Sequence, residues 1–369
     1  MDKFLRKPLA DLAFASLLSA AAVFGAVLVS GAPVLAQEGA GQPELSLPLS
    51  CRPGRDCWLV NHVDVDPGPG VRDYACGKRS YDGHKGTDIA IRDLVAMEKG
   101  VDVLASAAGV VKATRDGMRD IDVTVAGLES VKGRECGNGL VLDHGQGWET
   151  QYCHMRRGSV MVRKGDTVNR GRKLGLVGSS GRSQYPHVHL SVRWKGQVVD
   201  PFAGLVGKSG REKDCGPGPA PLWRSGVLAA LMGESTALYN AGFAATAPKP
   251  ETARSGLLSA ARLSADAPAL VLWVDMFWAR KDDALHFRIT APGGRPFIEK
   301  TVVLKKTQAR RFTFVGKKRK SRRWPPGVYR GEVRLLRKRT KGGGAAAESP
   351  GLSPGLSPAL SIVREVELR

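Results

Sequence analysis

The stretch Gly139-Leu-Val-Leu-Asp-His-Gly-Gln-Gly-Trp-Glu-Thr-Gln-Tyr-Cys-His154 decides how the chain is read. An apolar run, Gly139 to Asp143, and a second run, Trp148 to Tyr152, flank the turn His144-Gly-Gln-Gly147. Short runs of this kind around a glycine-containing turn make a β-hairpin. The same pattern continues outward through Val101–Leu104, Gly109–Lys112, Lys173–Val177 and His187–Val192, with no long amphipathic helix between them. Residues 51–203 are therefore predicted to form an all-β domain, with Met118–Arg134 an insertion at its surface and residues 37–50 a mobile lead-in. A Gly-, Pro-, Ala- and Ser-rich segment, 204–222, reads as a linker. Beyond it Leu270, Leu272 and Val274, then Leu285, Phe287 and Ile289, alternate as strands do. Further strands are expected at Phe297–Leu304, Arg311–Val315, Gly327–Leu336 and Ser361–Leu368, so residues 223–369 read as a small β-sandwich-like domain. Within residues 223–262 the pattern is ambiguous, and Val227–Leu231 fits a helix or a strand. The Ser-Pro-Gly-Leu repeat at 349–358 reads as an exposed loop.

With 369 residues the chain is long enough for two domains, each with a sizeable core. A composition 42% hydrophobic and 25% charged excludes a disordered chain. Lys3, Arg6 and Lys7, the apolar stretch Leu12–Val29, and Val34-Leu-Ala36 ahead of Gln37 read as an export signal over residues 1–36. The rival reading is an uncleaved N-terminal membrane anchor facing outside, because the apolar run is long for a signal. Either way the body of the protein is expected in the periplasm or cell envelope. Cysteine usage agrees, because Cys51, Cys57, Cys76, Cys136, Cys153 and Cys215 all follow the signal and are even in number. Six cysteines leave about 15 pairings open. The hairpin sets Cys136 nearly opposite Cys153, and Cys51 and Cys57 close a small loop, which leaves Cys76 for Cys215. A cysteine zinc site would need closely spaced CxxC pairs, and there are none. Between Lys305 and Lys341 sixteen Lys or Arg face one acid, Glu332, which places +15 of the formal +21 in one stretch. Such a stretch favours polyanions. For an exported chain these are anionic envelope surfaces rather than nucleic acid, and the alternative is a solvated basic face with no ligand.

Chemistry concentrates in the histidines. Four of the seven sit in three phrases: His84-Lys-Gly86-Thr-Asp88, Tyr152-Cys-His154 and Pro186-His187-Val-His189. Gly86 is expected to allow a bend that turns His84 and Asp88 to one point. His187 and His189 are two apart in a strand, so their side chains share a face. Two imidazoles and a carboxylate leave one position of a tetrahedral zinc site open for water. His154 is expected on the same face as Tyr152, with Cys153 turned away toward its disulfide. His62, His144 and His286 read as ordinary surface or satisfied core histidines.

Taken together, the phrases resemble the signature of the lysostaphin-type (LytM-like) zinc metalloendopeptidases, HxGxD, then YxH, then HxH. The similarity covers roughly Tyr74–Phe202, and the Gly178-Ser-Ser-Gly181 turn ahead of Pro186 resembles the family's approach to HxH. The resemblance implies a compact β-sheet peptidase domain and Zn2+ held by His84, Asp88 and His189. It implies that His154 and His187 position and deprotonate the attacking water, and that the substrate is peptidoglycan, cut in its stem or cross-link peptides. Tyr81 and Tyr152 are candidates for a hydrogen bond to the oxyanion. Tyr185 stands where many relatives carry glycine, and neither the Met118–Arg134 insertion nor the disulfides belong to the family's common core. Two other classes stay open. One is a zinc-site protein that regulates a partner wall hydrolase, as relatives lacking ligands do. The other is a different exported zinc hydrolase with a glutamate base, for which no ExxH phrase is present. A serine nucleophile finds no support, because Gly178-Ser-Ser-Gly181 is not a nucleophile elbow.

Overall fold

The computed structural model describes residues 41–204, 215–233, 236–258, 261–320, 323–338 and 356–369. The export-signal reading of 1–36, most of the linker reading (205–214) and most of the repeat (349–355) lie outside these residues. Ten strands build the first region: β1 (Cys57–Asn61), β2 (Thr87–Ile91), β3 (Asp102–Leu104), β4 (Gly109–Arg115), β5 (Asn138–Gly145), β6 (Trp148–Met155), β7 (Thr167–Val168), β8 (Lys173–Leu176), β9 (His187–Trp194) and β10 (Gln197–Val199). The main sheet runs β1-β2-β9-β6-β5-β4-β7, with β10 added to β9 and β3 pairing β8 separately. The β5–β6 hairpin turns through Gln146 and Gly147, both at positive φ, with Gly145 paired to Trp148. Two such residues match the right-handed twist of the flanking strands.

The pleat sorts the sheet's two faces. Ile89, Val188, Leu190, Val192, Leu140, Leu142 and Tyr152 lie fully buried in one core. Each such side chain contributes on the order of 1.5–3 kcal/mol when withdrawn from water. The alternate positions, His187, His189, Ser191 and Asp88, populate the other face. At the β1–β2 end that face is covered: Trp58, Val60 and Ala90 pack with Tyr239 and Phe277 of the second region.

Two sequence expectations are corrected. The lead-in is not mobile over residues 41–50, because Leu45 and Leu49 are buried in the first core and Leu45 N–H donates to the Leu222 carbonyl at 2.6 Å. The end of the expected linker is likewise structural. Cys215 is bonded to Cys76, and Leu222 and Trp223 belong to the first core. The other bridges are Cys51–Cys57 and Cys136–Cys153, and no described cysteine is free.

The second region contains β11 (Ala237–Ala244), β12 (Arg262–Leu263), β13 (Ala269–Ala279), β14 (Ala284–Thr290), β15 (Pro296–Val303), β16 (Gln308–Lys318), β17 (Gly327–Lys338) and β18 (Leu356–Leu368). Sheets β11-β13-β16 and β12-β18-β17-β14-β15 enclose one apolar core, a small sandwich. The ambiguous 223–262 stretch resolves into a helix, Ser225–Leu231, then β11, then a short helix, Pro250–Arg254. Residues 356–358 of the repeat begin β18 rather than lying in a loop. Strand β13 is buried on both faces, because Val271 and Trp273 pack with Ala244 and Ala253 opposite the sandwich core.

Candidate metal centre and active site

Strands β2, β9 and β6 bring the three histidine phrases together. Asp88 is the register partner of His189, and His189 is the partner of Cys153. Directly opposed residues share a face of the sheet, so Cys153 lies on the face of His189 while Tyr152, opposite Leu190, points into the core. This reverses the expected orientation of the Tyr152-Cys-His154 phrase. His154 reaches the site because its own φ is +63°, which breaks the alternation. That left-handed conformation costs a non-glycine residue on the order of 1–3 kcal/mol. The surroundings hold it there. His154 N–H donates to the Cys136 carbonyl at 2.8 Å, and Cys136 is also bonded to Cys153.

Tyr152 is correspondingly excluded as an oxyanion donor. Its hydroxyl is buried, accepting from Ser106 N–H at 2.7 Å and lying 3.3 Å from Thr150 Oγ1. Tyr81 does face the site, its ring centroid 4.4 Å from that of His84. Gly86 has a different role from the bend expected of it. A Cβ there would stand 2.5 Å from His189 Nε2, so the glycine makes room for that imidazole.

Backbone carbonyls set the tautomers. A carbonyl only accepts, so a ring nitrogen bonded to one carries the proton. His84 Nδ1 donates to the His62 carbonyl at 2.6 Å, His154 Nδ1 to Ser180 at 2.7 Å and His187 Nδ1 to Tyr185 at 2.8 Å. Each leaves Nε2 for the site. His189 is used the other way round: Ser191 Oγ, 3.0 Å from Nε2, is placed to accept its proton, and Nδ1 faces inward.

The inward atoms then meet. Asp88 Oδ1 is 3.2 Å from His84 Nε2 and 2.8 Å from His189 Nδ1, and the two nitrogens are 3.0 Å apart. Asp88 Oδ2 accepts from Asn61 Nδ2 at 2.8 Å. With both imidazoles neutral, the three converging atoms are all acceptors, an arrangement that a cation completes. Two imidazole nitrogens and one carboxylate oxygen form a donor set suited to zinc. Among the described residues the other candidate group, Cys51, Asp56 and Cys57, has its two sulfurs in a disulfide.

Electrostatics separate the two histidine sets. Burial, helped by the neighbouring His187 and His189, holds the His154 pKa well below its ordinary value. Burial also lowers His187 and outweighs the opposing pull of Asp88. Burial works against charge on His84 too, but the adjacent Asp88 carboxylate prevails and raises it. For Asp88 itself burial would raise the pKa, yet His84, His187 and His189 hold it well below the carboxylate range. The rings of His154 and His187 stand 4.6 Å apart, with His187 Nε2 3.7 Å from Asp88 Oδ1. A pair of neutral imidazoles thus flanks an anionic donor cluster.

Above the cluster lies a cavity of about 640 Å³, lined by Tyr81, Asp88, Tyr185 and His187. One wall is the insertion, through Val123 and Leu128, and another is the second β region, through Phe277 and Arg310. The insertion is anchored: Asp120 accepts from Ser179 N–H at 2.7 Å and Arg157 N–H at 3.0 Å.

Residues 82–201 match the sequence profile of peptidase family M23, and this segment contains all five converging residues. This segment is similar to the M23 peptidases. Its relatives include the peptidoglycan DD-endopeptidase ShyA of Vibrio cholerae, 32% identical over 117 residues, which covers 32% of this chain and 22% of that protein. They also include the DD-carboxypeptidase/endopeptidase Mpg of Neisseria meningitidis, 34% identical over 109 residues, or 29% of this chain and 22% of that one. The chain thus spans about a fifth of the length of these curated relatives. Among solved structures, a mutant catalytic domain of the prophage-encoded M23 protein EnpA from Enterococcus faecalis is 25% identical, covers 44% of this chain and 96% of that one, and has a TM-score of 0.28.

Several supports of the site escaped the sequence reading. Asn61 sits at a bulge where β1 meets β2, paired with Asp88, and nothing around it in sequence marks it. The ring of His62 is a core histidine, edge-on to Tyr74 and Phe202 at 4.9 Å each, and its carbonyl orients His84. His144 and His286 are satisfied away from the site, by Ala108 and Thr150 and by Thr301 and Glu299.

Proposed function

We propose that the chain is an exported zinc endopeptidase that hydrolyses amide bonds in the stem or cross-link peptides of peptidoglycan. The observation that carries this reading is the juxtaposition of three acceptor atoms, on His84, Asp88 and His189, with two neutral imidazoles at the floor of a cavity large enough for a peptide. The names of the ShyA and Mpg relatives supply the substrate class. His84 Nε2, Asp88 Oδ1 and His189 Nδ1 would hold zinc, which supplies Lewis acidity toward an amide carbonyl and lowers the pKa of water toward ~7. His154 and His187 do the proton work. With Nδ1 fixed on a carbonyl, each presents a bare Nε2 that accepts the proton of the attacking water and returns it to the departing nitrogen. Their depressed pKa values keep both imidazoles available as bases at neutral pH. The Tyr81 hydroxyl is the donor offered to the developing oxyanion.

Mass spectrometry of peptides released from purified sacculi tests the reading, using wild type, wild type with a zinc chelator, and His154→Ala. Release of split cross-links by the metal-loaded wild type alone supports it and names the bond. Zinc retention without release would move the assignment to a regulator of another wall hydrolase.

Export rests on the N-terminal sequence and the three disulfides, which suit an oxidising compartment. The basic stretch is read as an attachment to anionic envelope surfaces, since Lys305, Lys306, Lys318 and Lys320 are exposed. Changing these four to Glu is expected to abolish salt-sensitive sedimentation with sacculi or anionic vesicles; unchanged binding would remove that role.

A further inference from the structure

The second β region enters the cleft through Arg310 of β16, whose register partner on β13 is Phe277. Phe277 stacks on Tyr239 with centroids 4.1 Å apart. The Arg310 guanidinium lies 4.9 Å from the Tyr185 ring centroid and 5.9 Å from those of Tyr239 and Phe277. Its Nε donates to the Tyr239 hydroxyl at 3.1 Å, whereas Nη1 and Nη2 have no hydrogen bond among the described residues. The side chain keeps 18% of its surface open, and it lines the cavity.

Its charge is in surplus. The nearby acid, Asp275, has its Oδ2 3.8 Å from Arg310 Nε but is already occupied. It accepts from Arg254 Nε at 2.6 Å, from Arg254 Nη2 at 3.3 Å and from the Tyr239 hydroxyl at 2.5 Å. Asp88, the one carboxylate in the cavity lining, is committed to the histidines. The lining therefore presents two guanidinium groups, Arg182 and Arg310, against a single engaged acid, even before a metal adds positive charge.

We propose that Arg310 binds a free carboxylate of the substrate peptide close to the amide that is cut, which makes the second β region part of the substrate site. This rests on the peptidase reading above and narrows it to peptides carrying an acidic group beside the scissile bond. A planar guanidinium grips a carboxylate through two parallel hydrogen bonds. Its aromatic walls restrict the side chain beforehand, which reduces the ordering cost of binding. Distance sets the position of the acid. The Tyr185 ring is 4.8 Å from the His187 ring, so the guanidinium is less than about 10 Å from that imidazole. At roughly 3.3–3.6 Å per extended residue, the carboxylate belongs within about two residues of the reacting amide.

The test compares a cross-linked stem-peptide dimer with the same dimer after its carboxylates are converted to amides, using the full mature chain. Wild type is expected to favour the acid form by about 10- to 100-fold in kcat/KM, the range for hydrogen bonds to a charged group, and the difference should lie in KM. Arg310→Met brings the acid-to-amide ratio close to one, and Arg310→Lys leaves it intermediate. A role limited to packing on Tyr239 and Phe277 would lower the melting temperature while leaving the ratio intact, and that result overturns the proposal. So does a wild type indifferent to amidation, a comparison that needs no variant to fold. Kd values for both dimers on His154→Ala, measured before its slowed turnover consumes them, separate the two claims. Discrimination in Kd without any wild-type cleavage keeps the carboxylate site and removes the peptidase reading; cleavage without discrimination does the reverse.

Discussion

The buried acid Asp88 of the first β region and the buried acids Asp275 and Asp283 of the second are held in opposite ways. In the second region Asp283 accepts from Arg337 Nε at 2.7 Å and Nη2 at 2.8 Å, and Asp275 is held by Arg254 in the same two-pronged manner. Each buried charge there has a permanent cationic partner. Asp88 in the first β region has none among the described residues: its neighbours are His84, His187, His189 and the Asn61 amide. Desolvating a carboxylate costs several kcal/mol unless it is paired. Asp275 and Asp283 meet that cost within the fold, whereas at Asp88 the proposed cation would meet it. Asp88, buried among histidines, thus belongs to the candidate site, whereas Asp275 and Asp283, locked to arginine, belong to the frame.

The contrast is open to attack by mutation. Asp88→Asn is expected to lose bound zinc, measured by elemental analysis, and to lower kcat/KM by at least about 10³-fold, since Lewis-acid assistance is worth several kcal/mol. His154→Ala should keep its zinc and lose about 10²- to 10³-fold in kcat; loss of metal in that variant would place His154 among the ligands instead. Asp283→Asn should leave zinc content alone and destabilise the chain by about 3 kcal/mol, toward the low end for a broken buried pair because Arg337 is partly exposed. Denaturant melts of the metal-free proteins compare it with Asp88→Asn, which should shift the midpoint less. Equal shifts would erase the distinction drawn here. The smallest effect is expected of Ser191→Ala, which frees His189 Nε2 and should weaken zinc affinity about 10-fold in a competitive chelator titration.

Much of this was legible in the sequence because strand periodicity and ligand spacing obey simple rules. His187 and His189, two apart on β9, had to share a face, and the HxGxD and HxH phrases carried their own geometry. The hairpin predicted from Gly139–His154 formed where its turn required. What was not legible depended on single departures from periodicity or on contacts across the chain. One dihedral, at His154, exchanged the faces expected for Tyr152 and Cys153. Asn61 became a partner of Asp88 only when β1 paired with β2. Nothing near Arg310 in sequence shows that it arrives beside Tyr185, since that contact spans the two regions. Three leucines of the lead-in, Leu45, Leu47 and Leu49, alternate as a strand's do, but the Gly and Pro around them mask that signal; Leu45 and Leu49 fill the core and Leu47 packs against it.

The clamp around His154 ties chemistry to surroundings. Cys136 receives the His154 amide and is covalently linked to the residue just before it. In a thiol-rich cytosol that link would not persist, and the strained turn carrying the proposed base would lose its staple. Under the proposed export, the proposed base would gain this support only after the chain has left the compartment in which it is made.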